Sequence, residues 1–548
     1  RGYNITQFYG IAFDKYGAVM GGTQDNGTLY NDHTMNTYKE FREVNGGDGF
    51  ECEISHFNER VMFSSVYYNS ISRSGDKGQT WTNFAPQLPS TYDDPGTDGS
   101  PFHPFHTEFI LAEYYDLNSE DSVIYIPKRD VVAGEIVRVP SLSSGDSISY
   151  VALDDYYFDE ELVYDPSLTV NGVNYGVNPA TGETVEMGSD TVIFNVAWDT
   201  VQVQDPYQSW FLVYVNANGG ELWGTRNALR FSVTDPVWVC VARGFGGPLS
   251  GSNFNSNFDA EFSSDLEHLY IATGSGVTRI SGLGSVYTSD PLFEDKVAFQ
   301  GQGGTATSPT FTTSVKIASG SYEGIAINPN NADDLLLLPG FNGTIRRSSN
   351  ASTATTNGIS TVNLGTVGGV ACYDGIINRF DEDVLVIGTS SGVVVSIDGG
   401  DTFTNSSAGF EGTPVFEVRQ AWRSFDEGSY RPGEIYIGTY GRGIWSSTSY
   451  LGIDESQTNL GNKEEFKFHL IPNPTNSSTS IAINLDNTSD VEVEVYNING
   501  TRVKSISMKN LSSGKQSIDI DANDLKTGTY IVKLVANGKV ATSKFIKL

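Results

Sequence analysis

Three carboxylates stand in glycine-rich loops of the kind that present side chains to a cleft. Asp25 lies between Gly21-Gly22 and Gly27, Asp48 within Gly46-Gly47-Asp48-Gly49, and Asp374 before Gly375. Two such groups facing each other, one raised in pKa to act as acid, could hydrolyse glycosidic bonds. The competing reading is that each caps a turn, since an Asp carboxylate accepts backbone N–H groups and glycine supplies positive φ. Turn capping is favoured, so no catalytic residue is assigned with conviction. His103-Pro104-Phe105-His106, followed by Glu108, could be a metal pair, but Pro104 disfavours the helix that would align the rings. The acidic clusters Asp154-Asp155, Asp159-Glu160-Glu161 and Asp381-Glu382-Asp383 offer oxygen ligands for Ca²⁺ and equally suit a solvated acidic face. Tyr156, Tyr157 and Phe158 could stack on a sugar or pack the segment that carries them. The six histidines assemble no Ser-His-Asp arrangement, and no cofactor is expected.

The elements that must position these residues begin with bulk composition. The chain has 548 residues, 38% apolar and 18% charged, enough to fill a large core. Its 34 basic and 66 acidic residues give a net charge of −32, which argues against nucleic acid or an anionic membrane as the main partner. No apolar run is long enough to span a bilayer; the longest leucine stretch is Leu335–Leu338. Cys52, Cys240 and Cys372 are too far apart for a disulfide framework and read as small buried hydrophobes. The opening Arg1-Gly2-Tyr3-Asn4 lacks the apolar stretch of a signal peptide, which suggests a mature chain or a fragment of a longer one.

Charge divides the chain. Residues 469–548 carry nine Lys/Arg and seven Asp/Glu, a net of +2, so the remainder carries −34. The polar, acidic stretch 451–468 reads as a linker between a large unit, 1–450, and a small one, 469–548.

The large unit repeats one pattern: a short apolar strand, a turn with Gly or Asn, and a second short strand. Copies start at Val19, Val61, Val123, Phe211, Leu269, Leu335, Leu385 and Ile435. An alternating apolar segment precedes each, at Phe8, Phe50, Glu108, Val192, Asn257, Tyr322, Ala371 and Val415. Period-2 alternation in repeated antiparallel units, without helix-period runs, predicts an all-β fold, a multi-bladed β-propeller. About eight blades are visible and seven to ten are allowed, with an insertion near 150–191.

Two turns share a pattern: Ser74, Asp76, Gly78, Thr80, Trp81 and Ser396, Asp398, Gly400, Thr402, Phe403. In S-x-D-x-G-x-T-[WF] the Asp accepts N–H groups inside the turn and the aromatic plugs the gap between sheets. This pattern resembles the Asp-box of BNR, sialidase-like and sortilin-like propellers, and the Gly-rich loops around Asp25, Asp48 and Tyr440 resemble sortilin-like and xyloglucanase-like ones. The resemblance implies fold rather than activity. A sialidase would also need an arginine trio and an Arg-Ile-Pro segment near its start; the nearest string, Arg431-Pro432, lies at the far end.

The small unit reads as a β-sandwich of the immunoglobulin-like kind, built from short alternating strands with Asn-Gly and Gly turns. Its signatures run Pro472-Asn473-Pro474, then Asn499-Gly500, then Gly528-Thr529-Tyr530, then Lys544 and Lys547 in the last strand. The order resembles the type A C-terminal sorting domain of the Bacteroidota type IX secretion system. That resemblance implies the outer-membrane translocon, shuttle and sortase as partners, and a secreted or outer-surface location. The expected function is a non-enzymatic module for protein or glycan binding and adhesion; the alternative is a secreted glycoside hydrolase with paired carboxylates in the ring's central cleft.

Overall fold

The computed structural model describes 6–32, 41–84, 104–116, 119–127, 129–145, 147–156, 163–164, 174–177, 184–187, 200–215, 219–232, 236–245, 258–287, 312–424, 428–449, 468–471, 475, 477–485, 487–497, 502–536 and 539–547. Among these residues there are strands and no helix. Among the described residues no helix is long and apolar enough to cross a membrane. The chain divides into two compact units, Arg1–Ile453 and Asp454–Leu548.

Among the described residues of the large unit, seven antiparallel sheets form the blades, six of four strands and a last of three. Their innermost strands are Phe8–Phe13, Cys52–Ile54, Phe109–Tyr115, Phe258–Phe262, Tyr322–Asn328, Cys372–Ile377 and Val415–Gln420. Each sheet is one blade, and each pair of neighbouring blades encloses its own apolar core. Ala12, Met20 and Tyr30 of blade 1, for example, meet Cys52, Ile54 and Met62 of blade 2. A blade is therefore covered on both faces, and its second strand reads as continuous apolar sequence rather than as alternation. Leu335–Leu338 is such a strand, all four side chains fully buried. The ring closes where Phe8 and Ile11 of blade 1 pack with Ala421 and Tyr436 of blade 7, with the Phe13 and Tyr436 rings stacked at 4.5 Å.

Two glycines mark where neighbouring blades come closest. A Cβ on Gly22 would stand 1.9 Å from the Phe50 carbonyl oxygen, and one on Gly324 would stand 2.0 Å from that of Tyr373. Any larger residue there would push two blades apart.

Among the described residues seven blades stand where eight units were counted from sequence, within the seven to ten allowed. The inner strand Phe109–Tyr115 pairs directly with Tyr207–Val215, although 91 residues separate them in sequence. The segment from Val123 is not a blade hairpin: Ser122–Tyr125 pairs with Val201–Gln204, and Ile136–Pro140 with Ser147–Val151. These strands belong to an insertion inside blade 3 that spans 116–206, wider than the 150–191 expected. Alternation reports that one face of a strand is buried, but not which sheet it joins. The inner strand expected at Val192 lies outside the described residues.

The small unit is a sandwich of a three-stranded and a four-stranded sheet. Ile481, Ile483, Ile518 and Ile520 of one face Val493, Val495, Val532 and Leu534 of the other. The final strand, Lys539–Lys547, pairs with Gly528–Ala536 and touches Thr475 through one further bridge. Within it Phe545 is buried and stacks on Tyr530 at 5.5 Å, Lys544 is exposed, and Lys547 is buried. Gly528 has φ +156° with open space beside it. Pro472, Asn473, Pro474 and Gly500 lie outside the described residues.

Candidate functional site

In six of the seven blades an aromatic residue followed by an acid or glycine stands within two residues of the start of the inner strand: Tyr9-Gly10, Phe50-Glu51, Phe258-Asp259, Tyr322-Glu323, Tyr373-Asp374 and Phe416-Glu417. The propeller turns this repeat into an axial channel. A cavity of about 160 Å³ at one end is lined by Tyr9, Glu51, His106, Glu108, Asp259, Glu323, Tyr373, Asp374, Phe416, Glu417 and Arg419. A second, of about 290 Å³, continues toward Glu53, Glu113, Glu261, Trp422 and Arg423.

Carboxylates here first serve the ring. Inner strands of neighbouring blades do not pair, so their N–H groups need other acceptors. Asp259 Oδ2 accepts the Ile325 N–H and Glu261 Oε2 the Ile327 N–H, both at 2.7 Å. Asp374 Oδ2 accepts from Val418 N at 2.6 Å, and Glu417 Oε2 from Ile11 N. Between blades 2 and 3, Glu113 accepts from His56 N at 2.7 Å and from the Ser55 hydroxyl. Arg419 completes the lattice by bonding Glu53 at 2.7 Å and its neighbour Glu417.

Enclosure raises the acids. Burial lifts Glu53, Asp259 and Glu417 to about 7 and holds Glu261 and Asp374 well above the ordinary carboxylate range. Burial alone would lower His106, but Glu108 and Glu51 carry it up to about 9. Burial likewise raises Glu51, with His106 opposing. Burial disfavours the Arg419 charge, yet Glu417 and Glu53 hold its pKa well above the ordinary value.

Strand register fixes which features share the channel mouth. Cys52 pairs with Ser64 and Val66 with Ser70, so the Tyr67–Asn69 turn lies at the Glu51 end of blade 2. The Ser74–Trp81 turn lies at the other. Tyr67 and Tyr68 are 43% and 50% exposed and pack on Phe105, beside His106. Tyr440 completes the rim, 5.6 Å from Tyr9 and 5.2 Å from Phe416.

Of the acids singled out in the sequence, Asp374 and Glu108 line the channel, and both oxygens of Asp374 accept backbone N–H groups, from Gly375 and Val418. Asp25 and Asp48 meet at the rim, where the Asp25 N–H donates to Asp48 Oδ1 at 2.9 Å and Asp25 holds φ +61°. His103 lies outside the described residues, whereas His106 and Glu108 meet Glu51. Asp155 accepts the Ala133 N–H and Asp381 that of Asp383, while Glu382 accepts from the Asn330 side chain. Asp159-Glu160-Glu161, Tyr157 and Phe158 lie outside the described residues, and the Tyr156 hydroxyl bonds Tyr150 at 3.1 Å. All three cysteines are free and buried.

The two repeated turns have one geometry. Asp76 Oδ1 accepts from Thr80 N at 2.8 Å and Oδ2 from the Thr80 hydroxyl at 2.7 Å, while Ser74 Oγ accepts the Gly78 N–H. Asp398, Thr402, Ser396 and Gly400 repeat this at 2.9, 2.6 and 2.8 Å. Hydrogen bonds, first from the Thr hydroxyls, hold both Asp groups down at about 2. Trp81 is half-buried and donates to the Val44 carbonyl of blade 1 at 2.6 Å; Phe403, also half-buried, packs beside Leu364 of blade 5.

The sequence reading missed Glu51, Glu53, Asp259, Glu261, Glu417 and Arg419. The signal for three of them, Glu51, Asp259 and Glu417, was present: the aromatic–acid pair recurs at the head of strands already recognised as repeats.

Among known proteins, no curated sequence matches the chain. Similar solved structures include YCF48 from Cyanidioschyzon merolae, 11% identical over 81% of this chain and 95% of that one, at a TM-score of 0.39. PorZ of Porphyromonas gingivalis, described as an essential surface component of the type-IX secretion system, is 12% identical over 98% of this chain and 70% of that one, at 0.31. The Cps50 (Swd1) β-propeller domain of Myceliophteria thermophila is 6% identical over 69% and 79%, at 0.36. Residues 469–548 match the family of secretion system C-terminal sorting domains. The chain is thus a β-propeller carrying a type IX sorting domain, a tail that indicates export by that system to the exterior or the cell surface.

Proposed function

We propose that the protein is an exported binding module of the Asp-box propeller type, displayed on or released from the outer surface, which takes a glycan at the aromatic mouth of its axial channel. The tail engages the translocon, shuttle and sortase and is removed on attachment to surface lipopolysaccharide or on release. One observation carries the ligand reading: Tyr9, Tyr373 and Phe416 line a cavity rich in carboxylate acceptors, with Tyr67 and Tyr68 exposed at its rim. Flat aromatic faces stack on sugar rings, and carboxylates accept from sugar hydroxyls. A protein segment bearing such a glycan would dock at the same face, which suits adhesion. The test is a glycan array probed with the full chain, followed by Tyr68→Ala and Tyr373→Ala. Binding to a defined glycan class that both variants weaken supports the reading; an array without binding overturns it.

The hydrolase alternative draws on one feature, the raised carboxyls of Asp259 and Asp374 at the cavity wall. Against it, their oxygens are engaged in joining blades. Turnover of β-glucan or xyloglucan that disappears in a folded Asp374→Asn protein would reverse the preference.

A further inference from the structure

At the channel mouth Glu51, His106 and Glu108 form a cluster with no equivalent among the described residues: one ligand atom from each lies within 4.8 Å of the others. The imidazole is fixed by rings on two sides, 4.7 Å from Phe50 and 5.7 Å from Tyr9. Its Nε2 stands 3.4 Å from Glu51 Oε1, and its Nδ1 3.5 Å from Glu108 Oε1. Charge-assisted hydrogen bonds close to about 2.7–2.9 Å. These distances are longer, and the buried Nε2 makes no hydrogen bond among the described residues. The two contacts lie at opposite ring nitrogens, and an ion takes only one of them; a chelate at that nitrogen would draw on one atom from each residue, all within 4.8 Å of one another. All three residues border the 160 Å³ cavity, so further coordination positions would face open space. The same cavity is lined by Asp259, Glu323, Asp374 and Glu417 against a single guanidinium, Arg419. Such a surplus of enclosed acids favours a cation.

We propose that Glu51, His106 and Glu108 bind a divalent transition-metal ion, with Zn²⁺ as the ion whose preferences they fit. One imidazole nitrogen and two carboxylate oxygens, with open positions, form an ordinary zinc donor set. Ca²⁺ takes six to eight oxygens and gains little from a nitrogen. The ion would tie the head of the blade 2 inner strand to the residues leading into blade 3. It would also present a Lewis acid to whatever enters the mouth. The assignment does not rest on the glycan reading, because the ion needs only these side chains.

The full chain, stripped with EDTA, is titrated with Zn²⁺ and with Ca²⁺ by calorimetry. A single equivalent of Zn²⁺ should bind, by about tenfold or more tighter than Ca²⁺. His106→Ala and Glu108→Gln should each weaken Zn²⁺ by about tenfold or more, with an unchanged circular dichroism spectrum. Co²⁺ should give visible d–d absorption that Glu108→Gln alters, a readout that holds even if His106→Ala fails to fold. Absence of stoichiometric Zn²⁺ binding, or equal binding by both variants, would overturn the proposal. Zn²⁺ binding without any glycan binding would leave the metal site standing and remove the ligand reading.

Discussion

The Glu417 carboxylate in the last blade accepts the Ile11 N–H in the first, a bond across 406 positions of sequence. It joins the two ends of the ring while also holding Arg419. Glu417→Ala would leave a buried N–H without its acceptor and remove one of Arg419's counter-charges. The change should destabilise the propeller by about 3 kcal/mol. Urea denaturation of the variant checks this; Glu417→Gln, which keeps an acceptor, should lose less.

Acid titration should reveal the channel. Glu53, Asp259 and Glu417 hold protons up to about pH 7 in the folded protein, whereas unfolded carboxyls release theirs near about pH 4. Between these values the native state binds more protons, so stability falls as pH rises. His106, raised to about 9, extends the loss upward, its contribution fading as pH climbs through that value. Asp76 and Asp398, lowered to about 2, act oppositely: their contribution is present above about pH 4 and fades as pH falls through 2. Growing repulsion in a chain of charge −32 works in the same direction as the channel at high pH. Melting temperature at constant ionic strength should therefore be higher at pH 5 than at pH 8, by roughly 5 °C. A protein more stable at pH 8 would contradict this account of the channel.

The repeated turns should matter to blades and not to the mouth, since they lie at the other end of the strands. Asp76→Ala and Asp398→Ala should lower the melting temperature while leaving ligand affinity unchanged. Trp81→Ala, which loses half-buried ring contacts and the bond to Val44, should cost about 2 kcal/mol. Calorimetry beside a binding titration separates the two effects; reduced affinity at an unchanged melting temperature would place these turns in the binding site.

In the tail, Lys539–Lys547 pairs along its length with Gly528–Ala536. Deleting it should expose that neighbour's edge and the stacked Tyr530 ring. The propeller should still fold, but the protein should accumulate in the periplasm. Phe545→Ala, at a fully buried position, should cost the sandwich about 3–5 kcal/mol and reduce export similarly. Cell fractionation with propeller-specific antibodies checks both variants; surface delivery at normal levels would show that this strand is dispensable.

What the sequence by itself determined follows from local rules. Alternation located the strand hairpins, because a strand with one buried face must alternate. The Ser–Asp–Gly–Thr spacing set the turns at Asp76 and Asp398, since every bond there falls within a few residues. The ordered signatures of residues 469–548 placed the tail in its family. Tertiary structure decided what depends on distant partners. Phe109–Tyr115 could equally have fed the hairpin starting at Val123; only pairing with Tyr207–Val215 makes the intervening chain an insertion and the ring seven-bladed. The same holds for chemistry. Glu51 and Glu108 are 57 positions apart, and nothing near either announces the other. Ring closure converts a carboxylate recurring at the head of most inner strands into one enclosed acidic channel, because strands remote in sequence converge on a single axis.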